Sequence, residues 1–372
     1  MKQVPSGKLK KTFFLLASIY TCAYLFSCFT YCLLPCNYAW STYAALLFPF
    51  LFLGFICVVI PLNIYFFRKQ GWLTLLLLFP AWVNISAIYG FHFPKTFVSE
   101  KKKNELRILS WNVDAFLYRP YQKPESPEKQ QAMIDFIKQM NADILCFQDF
   151  AEAPVEYGKV NIQYIADSLG YPYHYFSEDG KNYGTIMFSR FPVMDSGRTK
   201  YVERVYPESM AYMDVLFGKD TIRVYNTHLR SMNLHQDNIN IGNVGYLEFV
   251  KEDTAFLFHS NRLQRLKYFD CIHAGQAVIV KNKLATTKYP YIFCADLNSV
   301  PSSYVYHFLQ KGLTDAFITA GSGFGQTYHR FSPTLRIDVV LMSKELQPLQ
   351  YYSPKPDLSD HYPIVTDMQL HN

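Results

Sequence analysis

"YIFCADLNSVPSS", residues 291–303, runs an apolar and aromatic strand straight into Asp296 and Asn298 and then into a Pro-Ser turn. A carboxylate and an amide at the end of a buried strand cost free energy unless they find partners. As an isolated pair they fit an Asx-turn ahead of Pro301. Whether they do more depends on what the other strand ends supply.

Those ends are polar in the same way. "LRILSWNVD" finishes at Asn112, "DILCFQDF" at Gln148-Asp149, and "TIRVYNTHL" at Asn226 and His228. "RIDVVLMS" carries Asp338, and Asp360-His361 precede the tail strand in "HYPIVTDMQL". "YGTIMFSRFPV" and "MAYMDVLFG" add further strands. "PEKQQAMIDFIKQMNAD" reads as an amphipathic helix with Met133, Phe136, Ile137 and Met140 on one face. Helical patterns recur near 158–169, 256–274 and 302–311. Many strands with few crossover helices predict an α/β fold of mixed or antiparallel sheets packed face to face, with helices outside. Such sheets bring strand ends to one edge.

Taken singly, each polar end has an ordinary use. Asn112 can form a turn, Asp149 or Asp360 a cap, and His228 a satisfied strand-end histidine. Asp338 is harder to place, because it lies among Ile337, Val339 and Val340 and a buried carboxylate needs a partner. Together they suit phosphate-ester hydrolysis, which requires charge neutralised on the phosphate, an oriented water and a proton for the leaving group. Asn112, Asp149 and Asp360 are the metal-site candidates, and hard oxygen donors suit Mg²⁺ or Mn²⁺. Asp338 would orient His361 and raise its pKa. Asp296 would activate the water, while His228, Asn226 and Asn298 would face the substrate phosphate.

The first ninety residues differ from the rest. After a basic start (Lys2, Lys8, Lys10, Lys11), apolar runs cover 12–35, 42–67 and 72–91, each near the length of a membrane-spanning helix. Trp40, Trp72 and Trp82 fall near the run ends, where amphipathic rings prefer to lie. The reading is a three-span anchor over 1–91, a linker over 92–104 and a catalytic domain over 105–372, with the lipid bilayer contacting 12–91. The basic N-terminus and Arg68-Lys69 fall on one face, which places the C-terminal domain outside the cytoplasm. Lys95 and Lys101 to Lys103 pull the other way, although long domains translocate largely regardless of charge. Of eight cysteines, none forms a C-x-x-C pair or a short disulfide framework, so all are expected to be small buried hydrophobes. The net charge of +6 suits nucleic acid or an anionic membrane and decides between neither.

Residues 105–372 resemble the endonuclease/exonuclease/phosphatase superfamily, the DNase I-like metal-dependent enzymes. The matching pieces are "LSWNVD", "DILCFQDF", "YGTIMFSRFPV", "VYNTHL", "CADLNSVPSS", "GQTYH", "RIDVVLMS" and "LSDHYPIV", in family order. The resemblance implies a four-layered α/β sandwich with its site at one edge of two packed sheets. It implies Asn112 and Asp149 at the metal, with Asp360 reaching the metal region. His228, Asp296 and Asn298 would line the phosphate, and Asp338 would pair with His361. One position departs from the pattern: the family usually has glutamate where this chain has Asp149.

The three-run arrangement is similar to bacterial membrane-bound members, including the VanJ-like teicoplanin-resistance proteins. This favours a lipid-type phosphate ester (phospholipid, sphingolipid or polyprenyl phosphate) in a bacterial inner membrane. A DNA nuclease and a binding module with little catalysis are the other readings. No protein partner is evident, and 231–260 reads as a long surface insertion near His228.

Overall fold

The computed structural model describes residues 7–117, 127–152, 162–180, 182–202, 208–232, 262–329 and 332–371. The insertion expected at 231–260 therefore lies outside the described residues, apart from Ser231 and Met232.

Two helical runs are long and apolar enough to cross a membrane: Gly7–Cys28 (α1), with 22 residues, and Trp40–Ile88, with 49. The second is not one rod. It comprises Trp40–Gly54 (α2), a π-turn at Phe55–Val59, Ile60–Phe67 (α3), a 3-10 stretch at Arg68–Ala81 and Trp82–Ile88 (α4). Arg68 takes φ 48°, and a Cβ on Gly71 would fall 2.4 Å from the Asn63 carbonyl oxygen. The chain thus reverses at Arg68, and α3 packs along the returning 3-10 stretch. Where the sequence reading expected three spans, the described residues hold two candidate spans, the second folded back at Arg68.

The two sheets follow from strands buried on both faces. The first has the spatial order Leu346–Tyr352 (β13), Ile364–Leu370 (β14), Leu106–Asn112 (β2), Ile144–Ala151 (β3), Tyr183–Ser189 (β5) and Tyr173–Gly180 (β4). The second runs Thr314–Asp315 (β10), Asp338–Met342 (β12), Tyr291–Asp296 (β9), Asp220–His228 (β8), Ser209–Phe217 (β7) and Val193–Lys200 (β6). Each sheet pairs two central strands in parallel, β2 with β3 and β8 with β9, and every other ladder in them is antiparallel.

Period-two alternation divides the apolar residues among three cores. Ile108, Ile144, Cys146, Val224, Ile292, Cys294 and Val340 meet between the sheets. Leu109, Trp111, Leu145 and Phe147 face outward under Pro127–Met140 (α5) and Ile162–Leu169 (α6). Phe293, Ala295, Val339 and Leu341 face outward under Arg262–Ala285 (α7) and Tyr304–Gln310 (α8). Helix, sheet, sheet, helix is the four-layered α/β sandwich expected.

The apolar helical region is seated on this sandwich. Pro49 lacks the N–H that would bond the Ala45 carbonyl within α2, and Ser302 Oγ donates to that carbonyl at 2.7 Å. Thr30 Oγ1 donates to the Ser302 carbonyl at 2.7 Å, and Thr42 Oγ1 to Asp270 Oδ2 at 2.6 Å. Arg336 donates to the Ala87 carbonyl at 2.8 Å. Gly90–Phe91 (β1) pairs with Ser322–Gly323 (β11). Residues expected in a free linker are also held: Arg107 donates to the Val98 and Ser99 carbonyls at 2.7 and 2.9 Å.

The cysteine expectation needs correction. Cys36 and Cys271 form a disulfide between the α1–α2 connection and α7, which their separation of 235 residues hides from any spacing rule. Cys146 and Cys294 are buried as expected, whereas Cys22, Cys32 and Cys57 are exposed.

Candidate active site

Register builds the site. His228 lies opposite Asp296 across the β8–β9 ladder, and Asp338 lies opposite Asp296 across β9–β12. Three chemically competent side chains therefore stand in one row, about 4.8 Å apart from strand to strand. All three share parity with the inter-sheet residues Val224, Cys294 and Val340, so they project into the top of the cleft between the sheets. Asn112 comes from the facing sheet with the same inward parity as Ile108.

Asp149 reaches the row by a different device. Alternation from Gln148 would turn it outward, away from Asn112. A register shift between Phe147 and Phe150 and a φ of 50° at Asp149 turn it back. This is a β-bulge re-aiming a side chain, at a residue type that tolerates the left-handed region better than most. Its carboxylate then accepts from Asn112 Nδ2 at 3.0 Å, from His228 Nδ1 at 2.8 Å and from the Tyr183 hydroxyl.

Asp296 is the hub. Its Oδ1 accepts the Asn298 N–H at 2.9 Å, so the Asx-turn is real, and Asn298 takes a φ of 48° to close it. Its Oδ2 faces inward, 3.1 Å from Asn112 Nδ2, 3.5 Å from His228 Nε2 and 3.7 Å from His361 Nε2. Turn and site use different oxygens of one carboxylate. Asn298 Nδ2 donates to the Leu229 carbonyl at 3.0 Å and lies 2.8 Å from His228 Nε2. His361 Nδ1 donates to Asp338 Oδ2 at 2.9 Å.

Burial alone would push His361 down, but Asp338 and Asp296 outweigh it and raise its pKa to about 10. Burial opposes protonation of His228 as well, and Asp149 and Asp296 lift it to about 10. Asp149 shows the converse: burial pushes it up, and His228, Tyr183 and Asn112 hold it below the usual carboxylate range. Burial, reinforced by Asp296, raises Asp338, with His361 opposing.

The cluster fits a divalent cation. Asp338 Oδ1 is buried with no hydrogen-bond partner among the described residues. Asp296, Asp338 and His361 each offer a ligand atom, all within 4.8 Å of one another. The sequence pointed instead to Asn112, Asp149 and Asp360. Of these, Asn112 and Asp149 join the cluster from the facing sheet. Asp360 flanks His361, contributes to its raised pKa and accepts the His329 N–H on its backbone carbonyl.

Asn226 stands apart from the substrate position expected for it. It shares parity with His228 but lies one pleat deeper and is fully buried. Its Nδ2 donates to the Phe147 and Ile186 carbonyls at 3.0 and 3.1 Å, and its Oδ1 accepts from Gln148 at 2.7 Å. All its capacity goes to bolting the sheets together beneath the site.

Several contributors were not read from the sequence. Tyr183 bonds Asp149. Trp111 Nε1 donates to the His361 carbonyl at 2.9 Å. Ser359 Oγ donates to the Asn112 carbonyl at 2.8 Å. Thr327, within "GQTYH", accepts the Ile337 and Asp338 N–H groups at 3.0 Å each. All four lie within the quoted motifs, but none was assigned a role from the sequence.

Two packed mixed sheets with a carboxylate–histidine cluster at their shared edge define a DNase I-like phosphoesterase fold. The family model for the endonuclease/exonuclease/phosphatase family matches residues 109–361, and the chain belongs to that family. Its members are metal-dependent phosphoesterases and nucleases, and this chain is a hydrolase of that class. Two solved structures share the fold. An endonuclease/exonuclease/phosphatase from Beutenbergia cavernae DSM 12333 superposes with a TM-score of 0.51 at 18% identity, covering 72% of each chain. Humanized D. rerio TDP2 superposes with a TM-score of 0.50 at 16% identity, covering 72% of this chain and 99% of that one. No curated protein sequence matches.

Proposed function

We propose that the chain is a membrane-anchored phosphoester hydrolase whose substrate phosphate lies at the membrane surface, as in a phospholipid, a sphingolipid or a polyprenyl phosphate. One observation carries this reading: the anchor docks on the edge of the sandwich that bears the cluster. Ala45 packs with Val300 and Ile337, which flank Asn298 and Asp338 in sequence, and Ser302 bonds both Thr30 and Ala45. A site held at that edge stands next to the bilayer that the apolar helices would occupy.

In this reading Asn112, Asp149 and Asp360 would hold Mg²⁺ or Mn²⁺, and the buried, unbonded Asp338 Oδ1 is a further acceptor in the cluster. The bound cation supplies neutralisation of phosphate charge. Asp296 orients and activates the attacking water, and Asn298 positions phosphate oxygen. Asp338 fixes His361 through Nδ1 and keeps it protonated, so that His361 or His228 delivers a proton to the leaving group. The catalytic domain is extracytoplasmic. The Cys36–Cys271 disulfide supports that side, because disulfides persist in oxidising compartments, and a bacterial inner membrane would hold the domain in one.

The test is hydrolysis by the full chain in lipid nanodiscs with Mg²⁺, Mn²⁺ or chelator, against phospholipid, sphingomyelin, a polyprenyl phosphate and duplex DNA. Metal-dependent turnover of a lipid phosphate, lost in Asp296→Ala, is expected. Turnover of DNA alone would make the chain a tethered nuclease. Silence on every substrate by the folded protein would favour a binding module.

A further inference from the structure

A cleft of about 320 Å³ lies on the sandwich, and among the described residues none of the cluster's carboxylates or histidines lines it. Its walls come from residues 94–97, the 320–326 segment and the end of β13 with the turn after it. Two properties set it apart. Lys95 and Lys355 both line it, and among the described residues no aspartate or glutamate does. Lys355 Nζ reaches Gln326 Oε1 at 2.8 Å, whereas Lys95 has no ion-pair partner among the described residues.

Its position matters as much as its charge. Lys95 follows β1 by four residues, where the chain leaves the apolar hairpin. Phe324 lines the cleft, and Phe91 and Phe93 lie just ahead of Lys95 in the chain; they are exposed by 47%, 60% and 91%. Phe324, from the sandwich, meets Tyr89 of the anchor edge-on at 5.3 Å, and Phe91 stacks on Trp82 at 5.8 Å. Aromatic rings exposed at the end of an apolar helix form an interfacial belt. In the proposed membrane attachment the cleft opens at the depth of lipid head groups, with Phe97 stacked on Tyr352 at 4.6 Å forming an apolar wall.

We infer that this cleft holds the phosphate head group of an anionic bilayer phospholipid between Lys95 and Lys355. The two ammonium groups neutralise the phosphodiester, and Gln326, whose amide donates to the Tyr328 and Ser332 carbonyls, steadies Lys355. The surrounding rings contact the glycerol and upper acyl carbons. The cleft's size sits at the small end of ligand pockets, about 300–1,000 Å³, which suits a head group better than a whole lipid. The inference rests on the membrane attachment proposed above and not on the catalytic reading.

Native mass spectrometry of the full chain from detergent, exchanged against phosphatidylglycerol or phosphatidylcholine, tests it. Wild type is expected to retain phosphatidylglycerol preferentially. One lysine near an anionic surface accounts for about fivefold in affinity, so Lys95→Ala/Lys355→Ala should lower the preference about 30-fold. Lys102→Ala/Lys103→Ala, equally basic and exposed but outside the cleft, should leave it unchanged. An undiminished preference in the cleft variant, or an equal loss in the control, would overturn the site. Release of the chain from membranes by alkaline carbonate would overturn both the site and the membrane attachment. Integration without a lipid preference would overturn the site alone.

Discussion

Asp149 holds its place by a bulge and a left-handed φ, so two substitutions there separate charge from length. Asp149→Asn keeps a residue tolerant of that backbone but removes the charge that His228 and any cation require. A loss of at least about 10–100-fold in kcat/KM is expected. Asp149→Glu adds one methylene and restores the family's usual residue, so activity within about tenfold of wild type is expected, with an altered Mg²⁺ or Mn²⁺ optimum. Steady-state kinetics with each ion titrated distinguishes them, and wild-type activity with an unchanged ion optimum in Asp149→Asn would place Asp149 outside the metal site. His361 supplies the pH test. Its folded pKa is raised to about 10 from an unfolded value near ~6.5. The stabilisation is therefore fully present below ~6.5 and is lost as pH rises through the folded value. In chelator, melting temperature should fall by about 3–6 °C between pH 7 and 10. Asp338→Asn, which removes the first cause of the shift, should flatten that slope. A wild-type slope equal to the variant's would contradict the pairing.

At the scale of elements, Pro49 and Ser302 form a complementary pair. The proline leaves the Ala45 carbonyl without its helical donor, and Ser302 Oγ takes that place at 2.7 Å. Ser302→Ala orphans a buried carbonyl and should cost about 1–3 kcal/mol. Pro49→Ala supplies an N–H to the same carbonyl, so the double variant should recover much of that loss. A cycle in which the two effects simply add would refute the coupling. Such pairings also show why parts of the fold were legible and others were not. The central strands β2, β3, β8, β9 and β12 are buried on both faces and read as apolar runs, and their polar ends marked Asn112, His228, Asp296 and Asp338 in advance. The edge strands β4 and β13 escaped notice. "YHYFSEDG" is half exposed and polar, and "LQPLQYY" carries Pro348, which edges tolerate. Asn226 was misplaced because composition marks a strand end without giving its depth. The two-residue step below His228 puts it beneath the site, and only the register shows that.

For the whole molecule, the contacts between anchor and sandwich constrain which way the chain lies. Thr30, Ala45 and Ala87 all bond the same sandwich, so in the proposed membrane attachment the start of α2 and the end of α4 lie on one face of the bilayer. Passage through 40–88 therefore goes out and back, with its turn at Arg68-Lys69 on the face opposite the sandwich, alongside the basic N-terminus. In the proposed orientation the positive residues then share the cytoplasmic face, as the positive-inside rule expects. The disulfide makes this arrangement measurable. A protease site inserted between Lys103 and Asn104, both exposed, would sever the backbone between anchor and sandwich while Cys36–Cys271 still ties them. Cleaved full-length protein from native membranes should migrate as one species without reductant and as two with it, and Cys271→Ser should give two in both lanes. Two species without reductant in the wild type would mean that the cysteines are reduced in the cell. The sandwich would then face the cytoplasm, with Lys95 and Lys101 to Lys103 serving as its basic flank, and substrates would have to be sought among cytoplasmic phosphate esters.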